Sequence, residues 1–358
     1  MTAPQPPRRR LLAERAEHPL GAGCRPLGGP ALNQGQDVGW AAVTDDTALA
    51  TLLTAHDHGA TVYHTCDVYG MGHSQRLLGR MLTRVRREDV RIACTIGAFR
   101  GTGLHGTSSL NLYRQVEQSL ENLGGTDYLD VLVLHHTDFG PHDRYLDEAL
   151  ETLQALRDTE TIRAVGMRAP SLPVTGSSAT ADRFVHLFQR IRPEVICTTV
   201  SPLGPAGHTP VLGDEDVFGF ARRHGAATMI CEPLAQGLLT GAYPPGRAFS
   251  PGDVRSGLTR GVLEAARRCL LPLRELAGPG PHSLTRLALL HCLKEFPESI
   301  VVAGASSPQQ ARANYTGLTD DLSDQDHHAV RAAYAALRTE LTRLAGPRTP
   351  CPAGPANP

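Results

Sequence analysis

The sequence predicts an α/β protein built as a TIM (β/α)8 barrel, and three observations predict it. Seven short apolar runs of strand length recur along the chain, with an eighth, weaker one near its start. Segments with helical spacing separate them. The chain has 358 residues, a length that one such barrel and its loops commonly fill. Near-continuous apolar runs suit strands whose two faces are both covered, as in a parallel sheet. No Gly-x-Gly-x-x-Gly follows an early run, which counts against a doubly wound open sheet, the other arrangement of the same elements.

Taken in order, residues 1–19 are rich in Pro and Arg and predict a disordered tail. The weak strand lies within 21–31. The clear strands are 61–65, 90–95, 129–134, 162–166, 195–199, 227–231 and 299–303. Thr44 or Asp45 is placed to cap a helix that runs through His56 and stops at Gly59. Ser74 is placed to cap the next, through Arg84. Leu112, Val116, Leu120 and Leu123 recur at helical spacing before the stop at Gly124-Gly125. Leu150, Leu153 and Leu156 do the same, as do Phe184, Leu187 and Ile191. Helices at 217–223 and 283–294 follow. The barrel is thus assigned to 20–343. Residues 344–358 carry Pro, Gly and Ala and predict a second disordered tail.

Composition narrows the function classes. Lys and Arg number 35 against 36 Asp and Glu, for a net charge of −1, so no basic bias points to nucleic acid. No apolar run reaches the roughly 18 residues of a membrane helix. The polar, basic start lacks a signal peptide's apolar stretch. The eight cysteines form no Cys-x-x-Cys pair and are expected as reduced thiols of a cytoplasmic protein. Of the basic residues 34 are Arg, and Lys294 is the single lysine. A lysine-based mechanism therefore has one candidate, late in a helix, and is not expected. Oligomeric state leaves no signature.

In a barrel the reactive groups sit at the C-terminal ends of the strands. There the sequence gathers His64, Asp67 and Tyr69, then Thr95, His135 and His136, Arg168 and Glu232. His136 is offset by one residue and expected to point toward the helices.

Four strings at these ends carry a resemblance. They are Asp67-Val68-Tyr69-Gly70 with Gly72-His73-Ser74; Asp127-Tyr128-Leu129-Asp130 with Leu134-His135; Glu232 through Gly241, with Asp253 and Arg255 beyond; and Gly304-Ala305-Ser306-Ser307-Pro308 with Gln310 and Asn314. In order and spacing they resemble the aldo-keto reductase superfamily, in its bacterial and potassium-channel-β-like branch. The resemblance spans about residues 20–340. It implies the same barrel and NADP(H) as candidate cofactor. It places the cofactor on Pro233, Leu234, Gln236, Gly237, Leu238, Gly304, Ser306, Gln310 and Asn314. It also implies a tetrad of Asp, Tyr, Lys and His, in which Tyr protonates the carbonyl oxygen and a Lys–Asp pair lowers the Tyr pKa.

Here the tetrad is degenerate. Tyr69 and His135 stand in their places. The aspartate position reads His64, and the lysine of the Thr-Lys pair is assigned to Ile96 in Thr95-Ile96. The Ser-Asn pair after the fifth strand reads Arg168-Ala169. On the sixth strand, the Gln and aromatic positions read Cys197 and Val200. His64, Tyr69 and His135 are the candidate catalytic residues, each set against a plain packing role. Arg168 is a candidate grip on a substrate carboxylate or phosphate. His64, Cys66, Cys94 and His135 match no metal-ligand spacing, so no metal is expected.

Three readings follow for a small-molecule enzyme or its relic. The favoured one is acid/base chemistry (dehydration, isomerisation or cyclisation) on a small oxygenated metabolite, by analogy a secondary one. The second is an atypical NADPH-dependent carbonyl reductase, the third a catalytically silent scaffold. Loops at 98–110, 170–180, 203–214 and 242–260 are expected to shape the pocket.

Overall fold

The structure, a computed structural model, describes residues 9–99, 103–169, 178–201, 215–318 and 322–345. The pocket-shaping loops expected at 98–110, 170–180 and 203–214 fall wholly or partly outside these residues.

The chain opens with an antiparallel hairpin, β1 (Arg9–Leu12) and β2 (Arg15–Glu17), followed by the first barrel strand, β3 (Leu20–Gly23). A second small hairpin joins β4 (Leu32–Asn33) to β5 (Gln36–Asp37). The other barrel strands are β6 (Val62–Cys66), β7 (Arg91–Ile96), β8 (Leu129–Leu134), β9 (Ile162–Arg168), β10 (Val195–Thr199), β11 (Ala227–Cys231) and β12 (Ile300–Gly304). All eight are parallel, and pairing of β12 with β3 and of β9 with β10 closes the barrel. The helices are α1 (Asp45–Asp57), α2 (His73–Leu82), α3 (Ser109–Asn122), α4 (Leu146–Asp158), α5 (Ser178–Ile191), α6 (Val217–Arg223), α7 (Arg260–Ala277), α8 (Ser283–Glu295), α9 (Pro308–Tyr315) and α10 (Asp324–Ala345).

Along most of their length the strands alternate. Val62, Ala93, Val131, Val133, Val195 and Ile300 fill the barrel interior. Their neighbours Tyr63, Ile92, Cys94, Ile96 and Leu132 pack under the helices. Thr44 caps α1 by accepting from Thr47 N. Ser74 does not cap its helix: α2 starts at His73 behind Gly72, and the buried Ser74 hydroxyl lies 2.7 Å from Thr65 Oγ1.

Residues 9–17 are no disordered tail. Leu11 packs with the apolar residues of the barrel interior. Arg9 donates to the carbonyls of Phe296 at 3.0 Å and Leu293 at 2.8 Å, and to that of Ser299. Glu14 pairs with Arg91 at 2.6 Å. Charges that look solvated in the sequence are here the partners of buried charges. Helices α7, α9 and α10 are additions to the sequence reading. α7 carries an apolar row, Leu263, Ala266, Leu270 and Leu273, and runs on past Pro272, a residue that normally ends a helix.

Candidate active site

The strand ends open on one mouth. From β6, His64 and Tyr69 reach it with ring centroids 6.0 Å apart, edge to face. The Tyr69 turn is fixed by close backbone approach. A Cβ on Gly70, whose φ is +61°, would stand 1.9 Å from Gly28 O, so only glycine fits there. Asp67, also buried, accepts from Gly97 N at 3.1 Å and Phe99 N at 3.2 Å and ties the β6 and β7 ends together.

His64 Nε2 lies 2.9 Å from Thr95 Oγ1. Ile96, assigned from the sequence as the lysine position, is fully buried on the helix side of β7. The side chain beside His64 is therefore Thr95, and the assignment to Ile96 is corrected by one residue. Cys94 also faces the helices, where Gln75 Nε2 lies 3.3 Å from its sulfur. The foursome His64, Cys66, Cys94 and His135 is thus not gathered.

Charge at the mouth is positive. Arg25, just beyond β3, pairs with Glu232 at 2.6 Å and holds its guanidinium 5.5 Å from the Tyr69 ring centre. The guanidinium of half-buried Arg168, at the end of β9, shows no hydrogen bond or ion pair to a described residue; Glu232 is near enough to act on its charge, and that charge in turn bears on Tyr69, His64 and His135. Burial, then Arg168, pushes both His64 and His135 down to about 3, so both rings are neutral at pH 7. His135 Nδ1 is buried without a hydrogen-bond partner. Burial pushes the Tyr69 phenol well above its usual value, and Arg25 and Arg168 pull against that shift. Tyr69 therefore keeps its O–H at neutral pH. His136 turns to the loop after β7, with Nε2 2.9 Å from Gly97 O and its ring centre 6.0 Å from that of His105.

A cavity of about 250 Å³ runs from His64 and Tyr69 past the Arg25–Glu232 pair to the start of α9. Pro233, Leu234, Gln236 and Gly237 line its flank, in a loop where Glu232, Ala235 and Gln236 all carry positive φ. Such left-handed non-glycine residues cost about 1–3 kcal/mol each and cluster where a loop is shaped for a ligand. Gly304, Ser306, Gln310 and Asn314 line the far end, where Ser307 caps α9 by accepting from Gln310 N. Leu238 does not line the cavity. Its side chain is buried in the apolar core with Leu239, Leu263 and Leu287. Arg25, Trp40, Tyr243 and Arg255 line the cavity and were not among the predicted site residues. Arg25 follows the weakest strand signal, so the sequence marked no strand end at which to look for it.

Comparison with known proteins places these features among relatives. The Aldo/keto reductase family model matches residues 27–335. A protein of Escherichia coli (strain K12) named NADH-specific methylglyoxal reductase is 26% identical over 325 residues, 87% of this chain and 92% of its own. The L-galactose dehydrogenase of Arabidopsis thaliana is 26% identical over 280 residues, 78% and 80% of the two chains. Among solved structures, a glycerol dehydrogenase from Gluconobacter oxydans superposes with a TM-score of 0.71 at 21% identity, covering 96% of this chain and 98% of that one. An aldo-keto reductase from Klebsiella pneumoniae in complex with NADPH gives 0.60 at 19% identity, covering 89% and 92%. At these identities the structures speak for the fold. Among the described residues no helix is long and apolar enough to cross a membrane.

Proposed function

This chain belongs to the aldo/keto reductase family, and we propose that it is an NADP(H)-dependent reductase of a small carbonyl compound bearing a carboxylate or phosphate. The observation that carries the reading is the single cavity joining Tyr69 to the start of α9. The N-terminus of a helix favours anionic groups, and Ser306, Gln310 and Asn314 offer polar contacts beside it. These residues, with Pro233, Leu234, Gln236 and Gly237, would hold the dinucleotide. When bound, it supplies the hydride.

The chain supplies the rest. The Tyr69 hydroxyl donates to the carbonyl oxygen and gives up its proton as negative charge develops there. Arg25 and Arg168 provide the positive field that the resemblance assigns to a lysine. His64 and His135 are neutral and act as hydrogen-bonding groups that orient the carbonyl. Arg168, half-buried beside Glu232 and with no guanidinium hydrogen bond or ion pair to a described residue, takes the substrate's anionic group.

The acid/base reading needs a base that titrates near neutrality. Histidines pushed down to about 3 are weak bases at pH 7, so dehydration or isomerisation through His64 or His135 is the less favoured reading.

Calorimetric titration of the full chain with NADPH, and in parallel NADP⁺, tests the proposal. Micromolar binding is expected, followed by transfer of deuterium from labelled cofactor to a carbonyl acid. No binding at millimolar cofactor would overturn it and leave acid/base catalysis or scaffolding.

The corrected register gives a second expected result. The double variant His64→Asp/Thr95→Lys places an ion pair beside Tyr69 and should raise carbonyl reduction above the parent. His64→Asp/Ile96→Lys drives an ammonium into the helix layer instead. It should give no gain and lower stability by about 3–5 kcal/mol, the loss seen when a buried charge lacks its partner. Parallel turnover and melting measurements compare the two; a gain from the Ile96 variant would reverse the register.

A further inference from the structure

Outside the mouth, the described residues bring one cluster of metal-ligating side chains together. His291 and Glu295 stand four apart on α8 and so share a face. His327, in the first turns of α10, meets them there. One donor atom from each of the three lies within 4.8 Å of the others. His327 Nε2 is 2.8 Å from Glu295 Oε2, yet makes no aligned hydrogen bond, and His291 Nδ1 is buried without one. The imidazole rings are 4.6 Å apart.

We propose that His291, Glu295 and His327 form a site for a divalent transition-metal ion of the zinc type, which clamps α10 onto α8. Two imidazoles and one carboxylate are a donor set that zinc accepts, with a fourth position left to water. Bonds of about 2.0–2.1 Å in a tetrahedral set put donors roughly 3.3–3.5 Å apart, which small side-chain rotations reach from the present spacing. Arg331, 3.3 Å from the other Glu295 oxygen, is the opposing charge; its side chain is 56% exposed and can turn to solvent. Along α8 the site runs from His291, about 9 Å past the cavity-lining Thr285, to Glu295, about 15 Å past it, so it acts on the fold and not on the reacting groups.

The test is titration of the full chain with Co²⁺, read by visible d–d absorption, and then displacement by Zn²⁺. One equivalent is expected to bind, with a rise in melting temperature. His327→Ala and Glu295→Gln should each weaken binding by about 100-fold or more, beyond the usual loss from removing an outer-shell partner. Circular dichroism and melting without metal report whether each variant folds. Glu295→Gln keeps the side chain's shape, so it decides the matter where His327→Ala alone disturbs the helices. Absence of saturable binding, or binding unchanged in folded Glu295→Gln, overturns the proposal.

Discussion

Tyr69→Phe is expected to cut carbonyl reduction by about 10²–10⁴-fold, the usual contribution of a positioned proton donor, while NADPH affinity stays the same. The reason lies in what surrounds the hydroxyl. Tyr69 keeps its hydroxyl proton at neutral pH and lies edge to face with His64 in the cavity. His64 and His135 carry none to give, because burial and Arg168 hold both down to about 3. The same electrostatics fix the pH profile. Between pH 5 and 8 neither histidine titrates and Tyr69 stays protonated, so kcat/KM for a substrate with no pKa in that range should show no limb near 6.5. A limb there would return a histidine to proton transfer. Turnover retained in Tyr69→Phe would assign the proton to water and remove the tyrosine from the reaction. The phenyl ring keeps its place beside the Arg25 guanidinium, and the backbone contact with Gly28 is untouched, so the variant isolates the hydroxyl.

Much of this arrangement is legible in the sequence, and the failures have physical causes. The strands at 129–134, 195–199 and 227–231 match the structure at both ends, because each is an apolar run bounded by turn or charged residues. What such a run hides is its phase. When both faces of a strand are covered, apolar residues occupy both, and nothing local says which of Thr95 or Ile96 points inward. The answer lies across the sheet, in the 2.9 Å contact of Thr95 with His64. Arg25 is hidden for a related reason. Its strand is only Leu-Gly-Ala-Gly, too short and too glycine-rich to announce a strand end. Leu238 shows the converse: a residue inside a recognisable string whose side chain the loop turns into the core.

The N-terminal segment looks solvated in the sequence because its charges stand there without their partners, and those partners carry a large expected stability effect. Asp130→Ala should lower the free energy of unfolding by about 3–5 kcal/mol. The Asp130 carboxylate is fully buried and accepts from Arg87 Nη2 at 2.7 Å, Arg91 Nη1 at 3.0 Å and Ile92 N at 2.9 Å. Removing it strands the nearly buried Arg91 guanidinium with Glu14 and Glu17, and leaves the Ile92 amide short of its acceptor. Arg87 keeps the Tyr128 carbonyl and its ring, 4.0 Å from the guanidinium carbon, so the loss falls mainly on Arg91. Glu14→Ala tests the other end of the same network. Glu14 is half exposed, at 56%, and its pair with Arg91 should contribute under about 1 kcal/mol. Urea denaturation of both variants, with the slope m unchanged, measures the difference. Equal small losses would mean that water reaches Arg91 from below and screens it. A large loss at Asp130 alone would place the electrostatic anchor of the barrel floor on β7 and β8, with the hairpin as its cover.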